Sequence, residues 1–290
     1  MSKKEAVDFY QKNWSHIVKL LHVDKTNCIN HGFYEKGTRT HSQAVLNMNN
    51  FVEQLLEFDK KNNRVKQILD AGCGIGGTVI HLAKKYPKIN FTGINIVPEH
   101  IEIAKNLAKE NHVEKNTNFL LRDFMKTNFS TNSFDAIYLV ESTSYSQSKQ
   151  NLMREMYRIL KPGGQIIILD GFRTNVTYGQ FFNDNIFLLY CKGWGIPNVI
   201  TLIELENSLK KIGFNKIVIK DITKNVSHTI VMGDLFSIPY LIKIIIKKII
   251  KGKKYQIEKD PEFFFIVSIL ATLIGLKKGI TYNAINAIKK

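Results

Sequence analysis

The amino-acid sequence predicts an α/β fold in which helices cover both faces of a parallel sheet. Short apolar runs alternate with helical patterns of roughly 10–15 residues, as expected of strands joined by crossover helices. Glycines cluster directly after the first apolar run, where a parallel sheet carries its ligand-binding loops. With 290 residues, of which 44% are hydrophobic, the chain can bury a large core.

The elements of this core follow from local patterns in chain order. Residues 1 to about 60 are polar and helical, with one interruption at NHGFYEKGTRTHS. Pro98 suits the first turn of a helix, and the Pro-Gly-Gly run at 162–164 ends another. The predicted strands are VKQILDAG, INFTGINIV, TNFLLRDF, SFDAIYLVE and QIIILDGF, and the helices between them are GTVIHLAKKY, PEHIEIAKNLAKEN and KQNLMREMYRILKPGG.

The C-terminal part repeats the pattern and then becomes strongly apolar. IELENSLKKIGFNKIVIKDI predicts a helix, a glycine and a strand, and GITYNAINAI predicts a closing strand. Between them we predict two apolar helices, at about 235–250 and 261–276. The longest apolar stretch, 263–276, has fourteen residues, whereas a membrane-spanning helix needs roughly 20, so we expect a buried or interfacial helix.

Charge and cysteine content narrow the class of protein. A net charge of +16 makes nucleic acid, anionic membrane surfaces and anionic ligands the initial candidate partners. Cys28, Cys73 and Cys191 are odd in number and lack metal-type spacing, so we expect reduced thiols and no metal site. The N-terminal stretch has no apolar signal core. We therefore expect a cytoplasmic protein, with peripheral membrane contact as an additional option.

The glycine run in ILDAGCGIGGT, residues 68–78, has two interpretations. Gly72, Gly74 and Gly77 fit the G-x-G-x-x-G spacing of a dinucleotide loop. Asp70, however, would place a negative charge beside a bound pyrophosphate, and Asn95 is uncharged where a ribose-binding acid is expected. S-adenosylmethionine carries an ammonium and a sulfonium but no phosphate. The D-x-G-x-G-x-G pattern therefore favours this cationic cofactor.

Several motifs in the same order resemble class I S-adenosylmethionine-dependent methyltransferases. They are DAGCGIG at 70–76, Asp123 in LLRDF, and FDAIYLVES followed by MREMYRILKPGG, and the resemblance covers residues 65 to about 172. It implies a Rossmann-like class I methyltransferase sheet with helices on both faces. The expected organisation has four parts: an N-terminal helical lid (1–60), an α/β core (61–234), a helical substrate-covering insertion (235–278) and a closing strand (279–290).

The same resemblance implies which residues bind the cofactor. They are Asp70, Gly72, Gly74, Gly76, Asn95, Ile96, His100, Asp123 and Phe124. Two of these positions depart from the family. Many members have an acid where Asn95 stands, and Asn95 offers the ribose hydroxyls a hydrogen bond without charge assistance. The cyclopropane synthase, sterol and tocopherol branches often have a glutamine where His100 stands.

Shorter motifs indicate a branch of the family. NHGFYEKG at 30–37 resembles a segment of the tocopherol methyltransferases, as does GLKKGITYNAINAIKK at 275–290. VESTSYS at 140–146 is similar to segments of the tocopherol, sterol and prenyl diphosphate C-methyltransferases. Within that branch, methylation of an alkene or an electron-rich ring leaves a cation. A carboxylate and aromatic faces stabilise such a cation, which must then lose a proton.

Four residues are candidates for this chemistry. Glu141 follows the fourth strand and can supply the negative charge or act as the base, unless it only caps the next helix. Tyr34, Tyr145 and His31 would line the same cavity, although aromatic residues in a lid often serve packing. The sulfonium already activates the methyl group, so transfer depends mainly on positioning and exclusion of water, and needs no metal.

YLIKIIIKKIIKGKK, residues 240–254, is strongly amphipathic. Lysines recur at 243, 247 and 251, and isoleucines fill the other face. The pattern fits three roles: a core-packing helix with a solvated face, a lid whose lysines meet an anionic membrane, or a site that attracts a substrate diphosphate.

The leading hypothesis is methyl transfer to an apolar small molecule, most favourably at carbon, of the prenyl, terpenoid, sterol or tocopherol kind. N- or O-methylation of a small natural product is the alternative. An RNA-binding methyltransferase is the third option, motivated by the charge. We expect no nucleic-acid partner, because the lysines concentrate on an isoleucine-rich helix and no aromatics interleave with arginines.

Overall fold

The computed structural model describes residues 3–57, 65–174, 187, 190–197, 199–257, 260, 263 and 279–290. A seven-stranded sheet forms its centre. Its strands are β1 (Gln67–Ala71), β2 (Asn90–Asn95), β3 (Thr117–Leu121), β4 (Phe134–Val140), β5 (Leu160–Arg173), β6 (Phe214–Asp221) and β7 (Ile280–Lys289). The helices are α1 (Lys3–Leu21), α2 (Val23–Thr26), α3 (His41–Leu56), α4 (Gly77–Lys85), α5 (Pro98–Glu110), α6 (Lys149–Ile159), α7 (Leu202–Ile212) and α8 (Thr223–Lys251).

The strand order is β3-β2-β1-β4-β5-β7-β6. The strands from β3 to β5 pair in parallel, and β7 lies antiparallel between β5 and β6. The predicted α/β class with a largely parallel sheet is therefore confirmed. The order reverses between β1 and β4, and the loops after these two strands lie at that point, where open α/β sheets bind ligands.

Both faces of the sheet are covered, as near-continuous burial of the central strands requires. On one face the fully buried ring of Phe91 packs with residues of α3, α4 and α5. On the other face, Met153 and Met156 of α6 meet Leu205 and Leu209 of α7. Each layer buries an apolar helix stripe against the sheet, which is the main source of stability in such a fold.

The Pro-Gly-Gly run after α6 differs from the simple helix stop that its sequence predicts. β5 begins at Leu160 and includes this run, and its pairing with β4 shifts register between Phe134 and Ala136. Gly163 adopts a positive φ of 72°, and Lys161 forms an ion pair with Asp135 at 2.7 Å. The irregular start thus belongs to the strand because its pairing with β4 holds it there.

The C-terminal helix α8 starts earlier than the sequence predicts, at Thr223 instead of about 235. Its halves, Thr223–Gly233 and Leu235–Lys251, are bent by 42°. Pro239 has no N–H for the carbonyl of residue 235 and its ring clashes with that carbonyl, which accounts for a bend there. The expected boundary between residues 234 and 235 falls at this bend, and the helix expected at 261–276 lies almost wholly outside the described residues.

In the part of the chain that the structure describes, no single helix has the length and apolar composition needed to cross a bilayer. The two halves of α8 meet that criterion only when taken together.

The N-terminal segment covers the carboxyl end of β1. Ile17 and Leu20 of α1 pack with Ile75 of the glycine loop. A Cβ on Gly77 would lie 2.1 Å from the carbonyl oxygen of Asn27, so this glycine allows the segment after α2 to lie directly on the start of α4. The N-terminal helices therefore close one side of the ligand-binding edge.

Candidate active site

A cavity lies at the carboxyl edge of the sheet, beneath the N-terminal helices. Its walls come from the ends of β1, β4 and β5, from α1, from the loop at 27–31 and from the first half of α8. Its internal volume is about 370 Å³. Pockets for small ligands measure roughly 300–1,000 Å³. The cavity is therefore large enough for a small ligand.

The glycine loop after β1 approaches its neighbours too closely for side chains. Gly72 has a φ of 107°, and a Cβ there would lie 2.4 Å from the Cβ of Ser142. Gly76 has a φ of 85°, and a Cβ there would lie 2.6 Å from the ring of Phe119. Gly74 also has a positive φ, of 54°. These glycines let the loop turn sharply between the ends of β3 and β4.

Asp70 is a buried carboxyl group on the cavity wall. The residue is 4% exposed, and burial raises the pKa of its carboxyl group to about 8. Within the described part of the chain, no cationic side chain forms an ion pair with it. A cationic ligand would restore its ionised form. Asp70 therefore fits the positively charged cofactor that the sequence pattern predicts.

Asn95 is occupied by hydrogen bonds within its own loop. Its side-chain amide donates to the carbonyl of Gly74 at 3.2 Å. Its side-chain oxygen accepts from the backbone N–H of Ile96 at 2.6 Å and of Val97 at 3.2 Å. In this arrangement Asn95 joins the end of β2 to the glycine loop, so the amide braces the loop instead of facing the cavity.

His100 is buried beneath α1. Its ring centroid lies 5.1 Å from that of Tyr10 and 4.7 Å from that of Trp14. Its Nδ1 is 3.3 Å from the side-chain nitrogen of Asn95. Burial lowers the pKa of His100 to about 4, so the imidazole is neutral at pH 7. The lid thus packs on the place where the sequence predicts a cofactor contact.

The remaining residues expected on the adenosine side also lie away from the cavity. The Asp123 carboxylate accepts from the backbone N–H of Met125 at 2.8 Å, and Phe124 packs partly buried against the core. Only Asp70, Gly72 and Gly74 of the expected cofactor set line the cavity. Cofactor contacts remain a prediction for the others, which are Gly76, Asn95, Ile96, His100, Asp123 and Phe124.

Glu141 lies at the centre of a hydrogen-bonded cluster on the cavity wall. Its Oε1 accepts from the backbone N–H of His31 and from the hydroxyl of Tyr282, both at 2.8 Å. Its Oε2 is 2.8 Å from Nδ1 of His31. The alternative role as a helix cap does not apply, because Ser148 caps α6.

The carboxylate of Glu141 favours the charged form of His31. Burial alone lowers the pKa of the imidazole, but the charge and hydrogen bond of Glu141 raise it, and the net effect is a raised pKa. The lid residue His31 is therefore coupled to a side chain that follows β4.

Tyr145 also lines the cavity, as expected. Its hydroxyl accepts a hydrogen bond from the Tyr10 hydroxyl at 3.0 Å and donates to the carbonyl of Trp194 at 3.3 Å. The rings of Tyr10 and Tyr145 lie 5.7 Å apart between centroids. Two aromatic side chains, one of them from the lid, thus line the same cavity as Glu141.

Tyr34, in contrast, does not line this cavity. Its hydroxyl lies 3.3 Å from Nδ1 of His41 and 3.0 Å from the sulfur of Met232. Its ring stacks on that of His228 with centroids 5.0 Å apart. Hydrogen bonds between its backbone and Asn225 fix the segment against α8, which accounts for the different direction of the side chain.

Sequence reasoning missed two functional candidates. Asp170, at the cavity end of β5, is 5% exposed, and burial together with the Glu141 charge raises the pKa of its carboxyl group. Thr143, Ser144 and the backbone N–H of Gly171 donate hydrogen bonds to it. An acid after the apolar run QIIIL was a usable signal for Asp170. Tyr282 had no local signal, since it reaches Glu141 from β7.

Metal ligands are not assembled in the part of the chain that the structure describes. Its His, Cys, Asp and Glu residues form no group of three or more that could hold an ion.

Comparisons with known proteins agree with this geometry. Residues 68–164 match the family model described as a methyltransferase domain. Norajmaline N-methyltransferase of Rauvolfia serpentina is 32% identical over 51% of this chain and 52% of its own length. A sterol 24-C-methyltransferase of Neurospora crassa is 28% identical over 72% and 51%. A geranyl diphosphate methyltransferase structure in complex with GPP and sinefungin has a TM-score of 0.74 at 15% identity, covering 99% of both chains. The chain spans about half the length of these two curated relatives.

Proposed function

We propose that this chain, whose core is a class I S-adenosylmethionine-dependent methyltransferase domain, methylates an apolar small molecule at carbon. The observation that carries the proposal is Glu141, a carboxylate held by His31 and Tyr282 on the wall of the cavity. Tyr10 and Tyr145 line the same cavity. A carboxylate and aromatic side chains in one cavity match the needs of a reaction through a carbon-centred cation.

Residues of this chain would hold the cofactor at the β1 end of the cavity. When bound, S-adenosylmethionine supplies a methyl group activated by its sulfonium. Asp70 lies on that wall and would face its positive charge. The glycine loop allows close backbone approach, because Gly72 and Gly74 present no side chain there. The residues predicted on the adenosine side would complete the site after a shift of α1, which covers His100.

Glu141 acts on the acceptor in this proposal. A double bond or electron-rich ring of the acceptor would displace the methyl group from the cofactor's sulfur, which keeps the electron pair of the broken bond and leaves as a neutral thioether. The π electrons form the new carbon–carbon bond, and the positive charge passes to the acceptor. The faces of Tyr10 and Tyr145 stabilise that charge. Glu141 then accepts a proton from the adjacent carbon, and the released electron pair restores the double bond or aromatic ring. Tyr282 and His31 position the carboxylate throughout.

N-methylation of a small natural product is the second candidate. Glu141 and Asp170 give the cavity two carboxyl groups at adjacent strand ends, and these would attract an amine. The relative named norajmaline N-methyltransferase also favours this option. In that case Glu141 would take the proton of the ammonium before transfer. The two candidates differ in the atom that carries the methyl group in the product.

An acceptor panel tests the proposal. The full chain is incubated with methyl-labelled S-adenosylmethionine and, separately, a prenyl alcohol, a prenyl diphosphate, a sterol with a side-chain double bond, a tocopherol-type phenol, a small amine and RNA. Mass spectrometry then identifies labelled products. Label in an apolar acceptor is the expected result. Label only in RNA, or only in the amine, would overturn the proposal of carbon methylation.

A further inference from the structure

The second half of α8 exposes an unusual amount of apolar surface. Five isoleucines form what we call the α8 outer face, and each is between 49% and 77% exposed: Ile242, Ile245, Ile246, Ile249 and Ile250. Their spacing of three and four residues places them on one side of the helix. A contiguous apolar surface of this kind on a folded protein indicates a binding surface rather than solvent exposure by chance.

Lysines border this face. At 100° per residue, Lys243 and Lys248 lie on opposite sides of the isoleucine stripe, and both are exposed. Lys251, at the end of the helix, and Lys254, just after it, add positive charge and are also exposed. Long lysine side chains can lay their methylene stems along an apolar surface while the ammonium reaches a polar layer. An isoleucine stripe bordered by lysines is the arrangement found in helices that lie in a membrane interface.

The same helix forms part of the cavity wall. Val226, Thr229 and Gly233, in its first half, line the cavity and are buried. The second half follows the bend near residue 234 and does not line the cavity. Whatever binds the α8 outer face is therefore connected to the cavity through one continuous helix.

We propose that the α8 outer face binds the surface of an anionic lipid bilayer. Its isoleucines would enter the boundary between headgroups and acyl chains, and its bordering lysines would contact the headgroup phosphates. Charge favours this occupant over a second copy of the chain. Pairing two α8 outer faces would bring two rows of lysines together in a protein that already carries a net charge of +16. An anionic surface removes that repulsion instead.

Vesicle flotation with the full chain tests this proposal without reference to the acceptor. Vesicles contain phosphatidylcholine alone or with phosphatidylserine, at low and high salt. We expect binding to the anionic vesicles that weakens with salt. Ile249→Ser with Ile250→Ser removes the two most exposed isoleucines and should weaken binding about tenfold or more. Lys243→Glu with Lys248→Glu should weaken it about 25-fold, at about fivefold per lysine.

Matched variants on other surfaces serve as controls. Ile203→Ser with Val218→Ser removes exposed apolar side chains from α7 and β6, and Lys115→Glu with Lys211→Glu reverses exposed charges elsewhere. Binding should be unchanged in both, and circular dichroism should give wild-type spectra and melting for all four.

Three outcomes would overturn the proposal. The first is no flotation with anionic vesicles. The second is equal weakening in the controls. The third is a wild-type dimer in sedimentation that becomes monomeric when Ile249 and Ile250 are replaced, since a second copy would then cover the face.

Discussion

Binding of the cationic cofactor should expel a proton from Asp70. In the free protein, burial raises the pKa of this carboxyl group to about 8, so about 0.9 of the molecules carry the proton at pH 7. A sulfonium and an ammonium beside it favour the charged form and lower the pKa. Complete ionisation on binding would therefore release about 0.9 proton per cofactor at pH 7.

The same linkage fixes how affinity depends on pH. Below pH 8, binding must first remove the proton, so affinity should rise about tenfold between pH 6 and pH 7. Above about pH 8 the carboxylate is already ionised and affinity should level off. Isothermal titration in buffers of different ionisation enthalpy measures the released proton directly, and repetition across pH gives the affinity profile.

Two variants make the test specific. Asp70→Asn keeps the shape of the side chain but has no proton to release, so it should bind weakly and without proton release. Asp24→Asn, at an exposed position on α2, should behave like the wild type. Binding without proton release in the wild-type protein would refute the reasoning. An undiminished release in Asp70→Asn would show that another group is responsible.

Three further predictions concern stability and catalysis. The pKa of Asp70 in the folded protein lies above its value near 4 in the unfolded chain, so the stability that its proton contributes is lost as the pH rises toward 8. In urea unfolding without cofactor, the free energy of unfolding of Asp70→Asn should therefore increase relative to wild type by about 1.4 kcal/mol per pH unit in that window. Glu141→Gln should lower kcat about 10²- to 10⁴-fold and leave cofactor affinity unchanged, because only the base is removed. Gly72→Ala should lower the free energy of unfolding by about 2–5 kcal/mol, because Gly72 has a positive φ and a Cβ there clashes with Ser142. Gly163→Ala should lower it by about 1–2 kcal/mol, because Gly163 also has a positive φ but a Cβ there meets open space.

Each of these has a result that contradicts it. A pH-independent difference between Asp70→Asn and wild type would mean that the carboxyl group is ionised in the folded protein. An unchanged kcat in Glu141→Gln would remove this carboxylate from the chemistry. Equal costs for the two alanine substitutions would mean that the glycine loop has room for a side chain.

The sheet and the β1 end of the site follow from sequence because both depend on local patterns. Apolar runs between helical patterns predicted the central strands, and the carboxyl ends of parallel strands meet at one edge. Asp70 and Glu141 could therefore be assigned to the same cavity from their positions at the carboxyl ends of β1 and β4. Asp170 lies near the carboxyl end of β5 and was predictable by the same argument.

Other features depend on tertiary contacts that no local pattern reveals. Tyr282 reaches Glu141 because β7 inserts antiparallel beside β5, with Tyr282 opposite Gly171. Tyr34 turns away from the cavity because its backbone pairs with Asn225. α8 begins at Thr223, earlier than the apolar pattern predicts, because its first half packs on the core through Val226.

Locating the transferred methyl group tests the central claim most directly. The full chain is supplied with ¹³C-methyl S-adenosylmethionine and the acceptor that is labelled in the panel, and the product is examined by carbon NMR. Methyl transfer to carbon predicts a new carbon-bound methyl signal, one demethylated cofactor per product, and loss of both in Glu141→Gln. A methyl signal on nitrogen or oxygen, or full product formation by Glu141→Gln, would contradict it.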